Sequence, residues 1–346
     1  MTREAMDHLW NPTGALEHPV TRIAACAVVG ALVLAPLAML GLGRRMDEKT
    51  RKDVWTRYWT WVVIAPVMFV PILLGAGPAI ATVTIVSILC YREFARATGL
   101  FRERLSSAIV ALGIILVGLA ALDNWYNLFL ILPAWFTVGL AAGNVLADRP
   151  SGYIQRTALA SVGFLLFGSG LGHLAFMANA RVPGDLNWDY RPLMCMVILT
   201  LQFNDIAAYV CGKSFGRRHL FPHTSPNKTL GGHIGALVLT TALSVWLGRM
   251  VFAGTALAGW GHLVTIGMVL SVGGQLGDLV LGSIKRDLGV KDLASTLPGH
   301  GGVSDRFNNA LITAPVIFHY VNFFLHVAPA EPIRIFTGGA VGTGAG

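Results

Sequence analysis

Residues 258–285 read AGWGHLVTIGMVLSVGGQLGDLVLGSIK. The first twenty positions contain no Asp, Glu, Lys or Arg; Asp278 then stands near the end, and Lys285-Arg286 follows. A run of that length crosses the hydrocarbon layer of a bilayer as a single helix. A carboxylate at its edge is costly unless it faces a polar cavity or a cation.

The rest of the 346-residue chain repeats the pattern. Blocks of similar length occur at 20–43, 57–76, 78–98, 105–122, 127–147, 155–178, 191–212, 229–253 and 308–328. Hydrophobic residues make up 54% and charged residues 13%, with a mean hydropathy of +0.61. That composition excludes a water-soluble globule and a disordered chain. A membrane β-barrel would show short alternating segments instead. The expected fold is all-α, a polytopic membrane protein of about ten transmembrane helices. Gly75-Ala76-Gly77-Pro78 reads as a tight turn between the second and third. The expected organisation is a polar N-terminal segment (1–19), about six helices (20–190), a C-terminal bundle of about four helices with two polar loops (191–328), and a flexible Gly/Ala/Pro-rich tail (329–346). The N-terminal segment carries Glu4, Asp7 and Glu17 and lacks the form of a cleaved signal peptide.

The net charge of +8 follows sidedness rather than nucleic-acid binding. Twenty of the 26 Lys and Arg fall in alternate connections. They are Arg44, Arg45, Lys49, Arg51, Lys52 and Arg57; Arg92, Arg96, Arg102 and Arg104; Arg149 and Arg156; Lys213, Arg217, Arg218 and Lys228; and Lys285, Arg286, Lys291 and Arg306. The positive-inside rule makes that side cytoplasmic and, with ten spans, puts both termini outside the cytoplasm. Cys26, Cys90, Cys195 and Cys211 form no CxxC pair and read as small hydrophobes in apolar runs.

Two connections, 213–228 and 285–307, mix Lys, Arg, Asp, Ser, Gly and Pro, so chemistry is sought there. Asp278, Gly282 and Lys285 share one helix face. Next come Lys291-Asp292, Leu297-Pro298-Gly299-His300-Gly301-Gly302 and Asp305-Arg306. Carboxylates, basic groups and a glycine loop within thirty residues are the components of a polyphosphate site with a divalent ion. An isolated Asp–Lys pair at a membrane interface is the structural alternative for Asp278 and Lys285, and a histidine alone would more often be structural; the clustering of these groups favours function. Upstream, Asn204-Asp205 lies inside a span, with Tyr209 one turn on, Lys213 at the end, and Ser225-Pro226-Asn227-Lys228-Thr229 opening the next helix. An interhelical hydrogen bond would also explain Asn204-Asp205, and Gly231, Gly232 and Gly235 fit a small-residue packing face.

These segments resemble, in order, the marker motifs of the phosphatidate cytidylyltransferases (CDP-diacylglycerol synthases), with the match covering about 200–310. The resemblance implies transfer of a cytidylyl group from CTP to phosphatidate or a related anionic phospholipid. The products are CDP-diacylglycerol and pyrophosphate, made at the cytoplasmic face of a bacterial inner membrane. It implies magnesium, with or without an assisting monovalent cation, held by Asp278 and Asp305. Asp292 is a further acidic member, and Lys285, Arg286, Lys291 and Arg306 meet phosphates. His300 completes the catalytic set. Asn204, Asp205, Tyr209, Lys213, Ser225, Pro226, Lys228, Thr229, Gly301 and Gly302 border the substrates. A homodimer is the assembly the family suggests. The sequence departs from the family at Leu281 and Gly282, where an acid and a serine are usual, at Asn308, where a second Asp is usual, and at Asn227 and Leu230-Gly231. A CTP-dependent lipid kinase of the polyprenol type and a lipid transporter remain alternatives at this point.

Overall fold

The structure, a computed structural model, describes residues 3–42, 47–182, 188–328 and 334–337. Arg44, Arg45 and most of the tail lie outside these residues. The helices are α1 (Arg3–Leu9), α2 (Pro19–Leu42), α3 (Glu48–Leu74), α4 (Ala76–Ala97), α5 (Arg104–Leu122), α6 (Tyr126–Leu146), α7 (Tyr153–Gly163), α8 (Leu171–Phe176), α9 (Tyr190–Phe215), α10 (Leu230–Val251), α11 (Trp260–Asp287), α12 (Ser304–Phe307) and α13 (Ala310–Leu325). A π-helical segment, Phe164–Gly170, joins α7 to α8. The protein is a polytopic helical membrane protein. Among the described residues nine helices are long and apolar enough to span a bilayer. The tenth expected span is α13, 16 residues long, preceded by the single turn of α12.

Local chemistry sets several boundaries. Asp47 caps α3 through the Thr50 amide, 3.1 Å away. Between α3 and α4, Gly75 has φ +145°, and a Cβ there would lie 2.3 Å from the Leu9 carbonyl. The turn therefore needs glycine, and α1 is laid across it. Thr229 caps α10 through the Gly232 amide at 3.2 Å. Gly231, Gly232 and Gly235 form the seam between α10 and α9: a Cβ at each would meet Phe215 O at 2.7 Å, Ala208 O at 2.7 Å and Cys211 Cβ at 2.4 Å. The packing reading of these glycines holds.

The C-terminal bundle packs α9 along α10, α10 along α11 and α11 along α13, while α4, α5, α8 and the π segment form the neighbouring layer. At Gly170 a Cβ would fall 2.7 Å from Leu311 O, so the π segment lets α13 approach backbone to backbone. Cys90, Cys195 and Cys211 are buried, as expected, but Cys26 is exposed on the peripheral α2. All four are free thiols. The connection 213–228 contains a short antiparallel hairpin, β1 (His219–Phe221) with β2 (Ser225–Thr229).

The two ends of the bundle differ. At one, α1 and its neighbours are tied by Asn11 to Leu74 and Arg191, and His8 to Asn179. Here Ile335, Phe336 and Thr337 donate backbone amides to Asp123. Burial of Asp123 opposes its charge, but the Thr337 hydroxyl and these amides outweigh it and hold the carboxyl below the usual range. The other end carries the hairpin, residues 285–309 and the N-terminal part of α3.

Candidate active site

At that second end α11 delivers Asp278. A Cβ at Gly277 would lie 2.2 Å from Asn308 O, so α11 sits backbone to backbone against the α12–α13 junction. Asp278 Oδ1 accepts from Asn308 Nδ2 at 2.7 Å, and Oδ2 pairs with the Lys228 ammonium from β2. Asn308, where the family usually has a second acid, thus donates to the carboxylate. Leu281, the next departure, is fully buried. Gly282 is roomy: a Cβ there would meet only Thr224, at 3.5 Å and beyond.

Asp205 joins the same cluster. Asn309 Nδ2 lies 3.3 Å from its Oδ2, and Asp278, Lys228 and Arg306 are its charged neighbours. Asn204 points the other way. It is fully buried, and its Oδ1 accepts from Thr240 at 3.1 Å and Ser271 at 2.8 Å, clamping α9, α10 and α11 together. The Asn204-Asp205 pair therefore divides between packing and the polar cluster.

Asp305 forms the second acid–base pair. Its Oδ1 lies 2.7 Å from Lys285 Nζ, and its Oδ2 accepts from the Gly302 amide at 3.0 Å. A Cβ at Gly301 would lie 2.8 Å from Asp305 Oδ2 and 3.1 Å from Asp292 Oδ1. These two carboxylates consequently border one space above Gly301. Gly302 is buried, and a Cβ there would strike Glu93 Oε2 at 2.4 Å.

Glu93, on α4, is the residue the sequence reading missed. It is 6% exposed. Its Oε1 accepts from Thr296 Oγ1 (2.6 Å) and Val303 N (2.9 Å); its Oε2 accepts from Ser304 N (2.9 Å) and Ser304 Oγ (2.8 Å). The first amides of α12 are thereby satisfied by a protein carboxylate. The only hint in the sequence is an acid between Arg92 and Arg96, just past an apolar run, where charge is ordinarily solvated.

The 297–301 segment is a closed turn, with Leu297 N donating to Gly301 O at 2.8 Å and His300 N to Leu297 O at 2.9 Å. It rests on α3: Thr60 donates to Pro298 O at 2.8 Å, and Trp61 packs edge-on against His300. Arg57 lies beside Gly299. Burial pulls the His300 pKa below its ordinary value; the Pro298 carbonyl opposes this, and Arg306 and Arg57 add to it. His300 is accordingly neutral at pH 7.

The remaining predicted residues are more dispersed. Arg286 bonds the carbonyls of Thr224 (3.4 Å) and Val290 (3.1 Å), tying the hairpin to its loop. Lys291, Pro226 and Asp292 are exposed, and Ser225 is half-buried in β2. Lys213 is exposed and lies over the Tyr209 ring at 4.8 Å. Arg306 Nε is buried and makes no hydrogen bond, which leaves a donor for a ligand. Among the described residues, no three His, Cys, Asp or Glu side chains converge as a ready-made metal cage.

Residues 55–324 match the sequence profile described as the cytidylyltransferase family. The chain belongs to that family. This cytidylyltransferase-family enzyme is 31% identical over 299 residues to the protein named uncharacterized protein YnbB of Escherichia coli (strain K12), covering 84% of this chain and 95% of that one. It is 30% identical over 260 residues to a phosphatidate cytidylyltransferase of Staphylococcus saprophyticus, covering 74% and 94%. The corresponding Staphylococcus aureus (strain COL) protein is 30% identical over 259 residues, covering 74% and 94%. The nucleotidyltransferase's matched region takes in Glu93, both acid–base pairs and the 297–306 segment, so the cluster lies within the family's shared part.

Proposed function

We propose that the enzyme is a CTP:phosphatidate cytidylyltransferase. The observation that carries this reading is the crosswise pairing at one end of the bundle: Asp278 with Lys228, and Asp305 with Lys285, each acid neutralised by a lysine from another segment. A triphosphate entering such a site supplies new anions for the lysines and frees the carboxylates for a cation.

An oxygen of the phosphatidate phosphate attacks the α-phosphorus of CTP. The new O–P bond forms as the bond from the α-phosphorus to the bridging oxygen breaks, and that oxygen leaves with pyrophosphate. The nucleophile is already anionic, so no strong protein base is required, consistent with a neutral, half-buried His300. The work of the protein is positioning and charge neutralisation. Lys228, Lys285 and Arg306 would turn to phosphate oxygens, and Lys291 and Arg286 stand at the rim. Magnesium fits the donor set: Asp278 and Asp305 offer hard carboxylate oxygens, and a two-carboxylate magnesium site completed by water and phosphate needs no three-residue cage. When bound, the ion neutralises charge that develops as pyrophosphate departs.

Access for the lipid is supported by α9. Asp205 is exposed on a face that also presents Ile206, Tyr209 and Val210; a carboxylate beside such an apolar strip fits a cavity open sideways to the bilayer. The basic end is assigned to the cytoplasm on the distribution of Lys and Arg.

The test uses purified full-length protein with phosphatidate vesicles, magnesium and CTP labelled in either the cytidine or the γ-phosphate. Cytidine label in the lipid with release of pyrophosphate is expected. Transfer of the γ-label would make the protein a lipid kinase. Lipid translocation without CTP consumption would make it a transporter.

A further inference from the structure

We propose that Glu93 is a positioning residue for cytidylyl transfer, the point at which the N-terminal helices act on the reacting end. This rests on the proposed function, but its physical basis is independent of the substrate. Asp305 is held from three directions: by Lys285, by the Gly302 amide, and through the α12 turn that Glu93 grips. Glu93 is the only one of these that reaches in from α4. Without it, Val303 and Ser304 have no acceptor for their amides, and the 297–306 segment is anchored to the N-terminal half by Thr60 and the packing of Trp61 on His300.

The pattern of donors makes the carboxylate specific. All four groups facing Glu93 donate, two of them backbone amides that cannot reverse. A glutamine has the same shape but must turn an NH2 group toward one pair. The hydroxyl of Thr296 or Ser304 can rotate to accept from it; the Val303 or Ser304 amide cannot. One backbone bond is lost and two donors face each other in a buried place. Asp305 then occupies its working position for a smaller fraction of the time. Gly302 fits the same scheme, because any side chain there would displace the carboxylate.

The experiment compares wild type, Glu93→Gln and Thr296→Val as full-length protein in phosphatidate-containing micelles with CTP and magnesium. For Glu93→Gln, kcat per folded molecule should fall about 30-fold while KM for CTP stays within about 3-fold. Hydrogen exchange at Val303 and Ser304 should accelerate, with exchange in the α5–α6 core unchanged. Thr296→Val removes a single hydroxyl bond and should lower kcat about 5-fold; it decides the matter if Glu93→Gln does not fold. Wild-type kcat in the folded variant, or unaltered exchange at Val303 and Ser304, overturns the proposal. If wild type itself releases no pyrophosphate, the functional reading fails, and the exchange measurement alone judges the grip of Glu93.

Discussion

Removing Lys285 alone should destabilise the protein more than removing its whole ion pair. Lys285 Nζ and Asp305 Oδ1 are 2.7 Å apart, and the two side chains are only 13% and 5% exposed. At an effective dielectric of ~20 the attraction is roughly 6 kcal/mol, most of which offsets the desolvation of both ions. Lys285→Met leaves the Asp305 carboxylate buried with the Gly302 amide as its remaining partner. Breaking a buried pair from one side costs about 3–5 kcal/mol; the lower figure, ~3 kcal/mol, applies here because that amide remains. Replacing both partners by Met and Leu should recover roughly half of the loss, since no charge is then stranded. The assay is equilibrium unfolding of the full-length chain in mixed micelles, in a Cys26→Ser background that removes the exposed thiol, followed by reaction of the buried thiols Cys90, Cys195 and Cys211 with a fluorogenic maleimide. An unfolding free energy for Lys285→Met within about 0.5 kcal/mol of wild type would refute the reasoning, because an exposed pair behaves that way.

Asn308→Asp turns the donor 2.7 Å from Asp278 Oδ1 into a second carboxylate. Because Asp278 is a third exposed, the repulsion is screened to about 1–2 kcal/mol; the melting temperature should drop in chelator and recover in millimolar magnesium, and no response to magnesium would count against a cation at Asp278. His8 is held neutral by burial, which lowers its pKa to about 4 against the ordinary 6.5, with Asn179 opposing and Arg181 and Arg191 reinforcing. The unfolded chain therefore takes up a proton that the folded one refuses, and acidification from pH 7 to 4 should cost about 3 kcal/mol of stability; His8→Gln should flatten that slope in unfolding titrations. Single cysteines at Ser214 and Thr255, in a background lacking the native thiols, should be labelled from the cytoplasm and from the opposite side respectively. The reverse pattern would invert the assigned orientation.

The helical architecture was readable because each span is a long apolar block, and because Gly75 and Thr229 carry unambiguous turn and cap chemistry. The acid–base pairs were half readable. Asp278, Lys285, Asp305 and Lys228 stand out as charges at the edges of apolar runs, but nothing in their spacing says that Lys228 meets Asp278 or that Asn308 completes it. Those contacts depend on how closely α11 approaches the α12–α13 junction at Gly277. Asn204 and Asp205 show a related limit: adjacent residues on a helix face about 100° apart, and only packing determines which one faces the cluster. The hairpin 219–229 is too short for alternation to mark it. Glu93 was hidden for a different reason. Its partners are mostly backbone and hydroxyl groups some two hundred residues away, and a lone acid between arginines looks like a surface residue.

Pyrophosphate release by Asp278→Asn and Asp305→Asn, measured on folded full-length protein with CTP, magnesium and phosphatidate, bears most directly on the proposal that these two carboxylates serve the transfer. Each variant should lose at least about a thousandfold in rate while keeping its micellar elution and helical content. Release within about threefold of wild type from either one would contradict it.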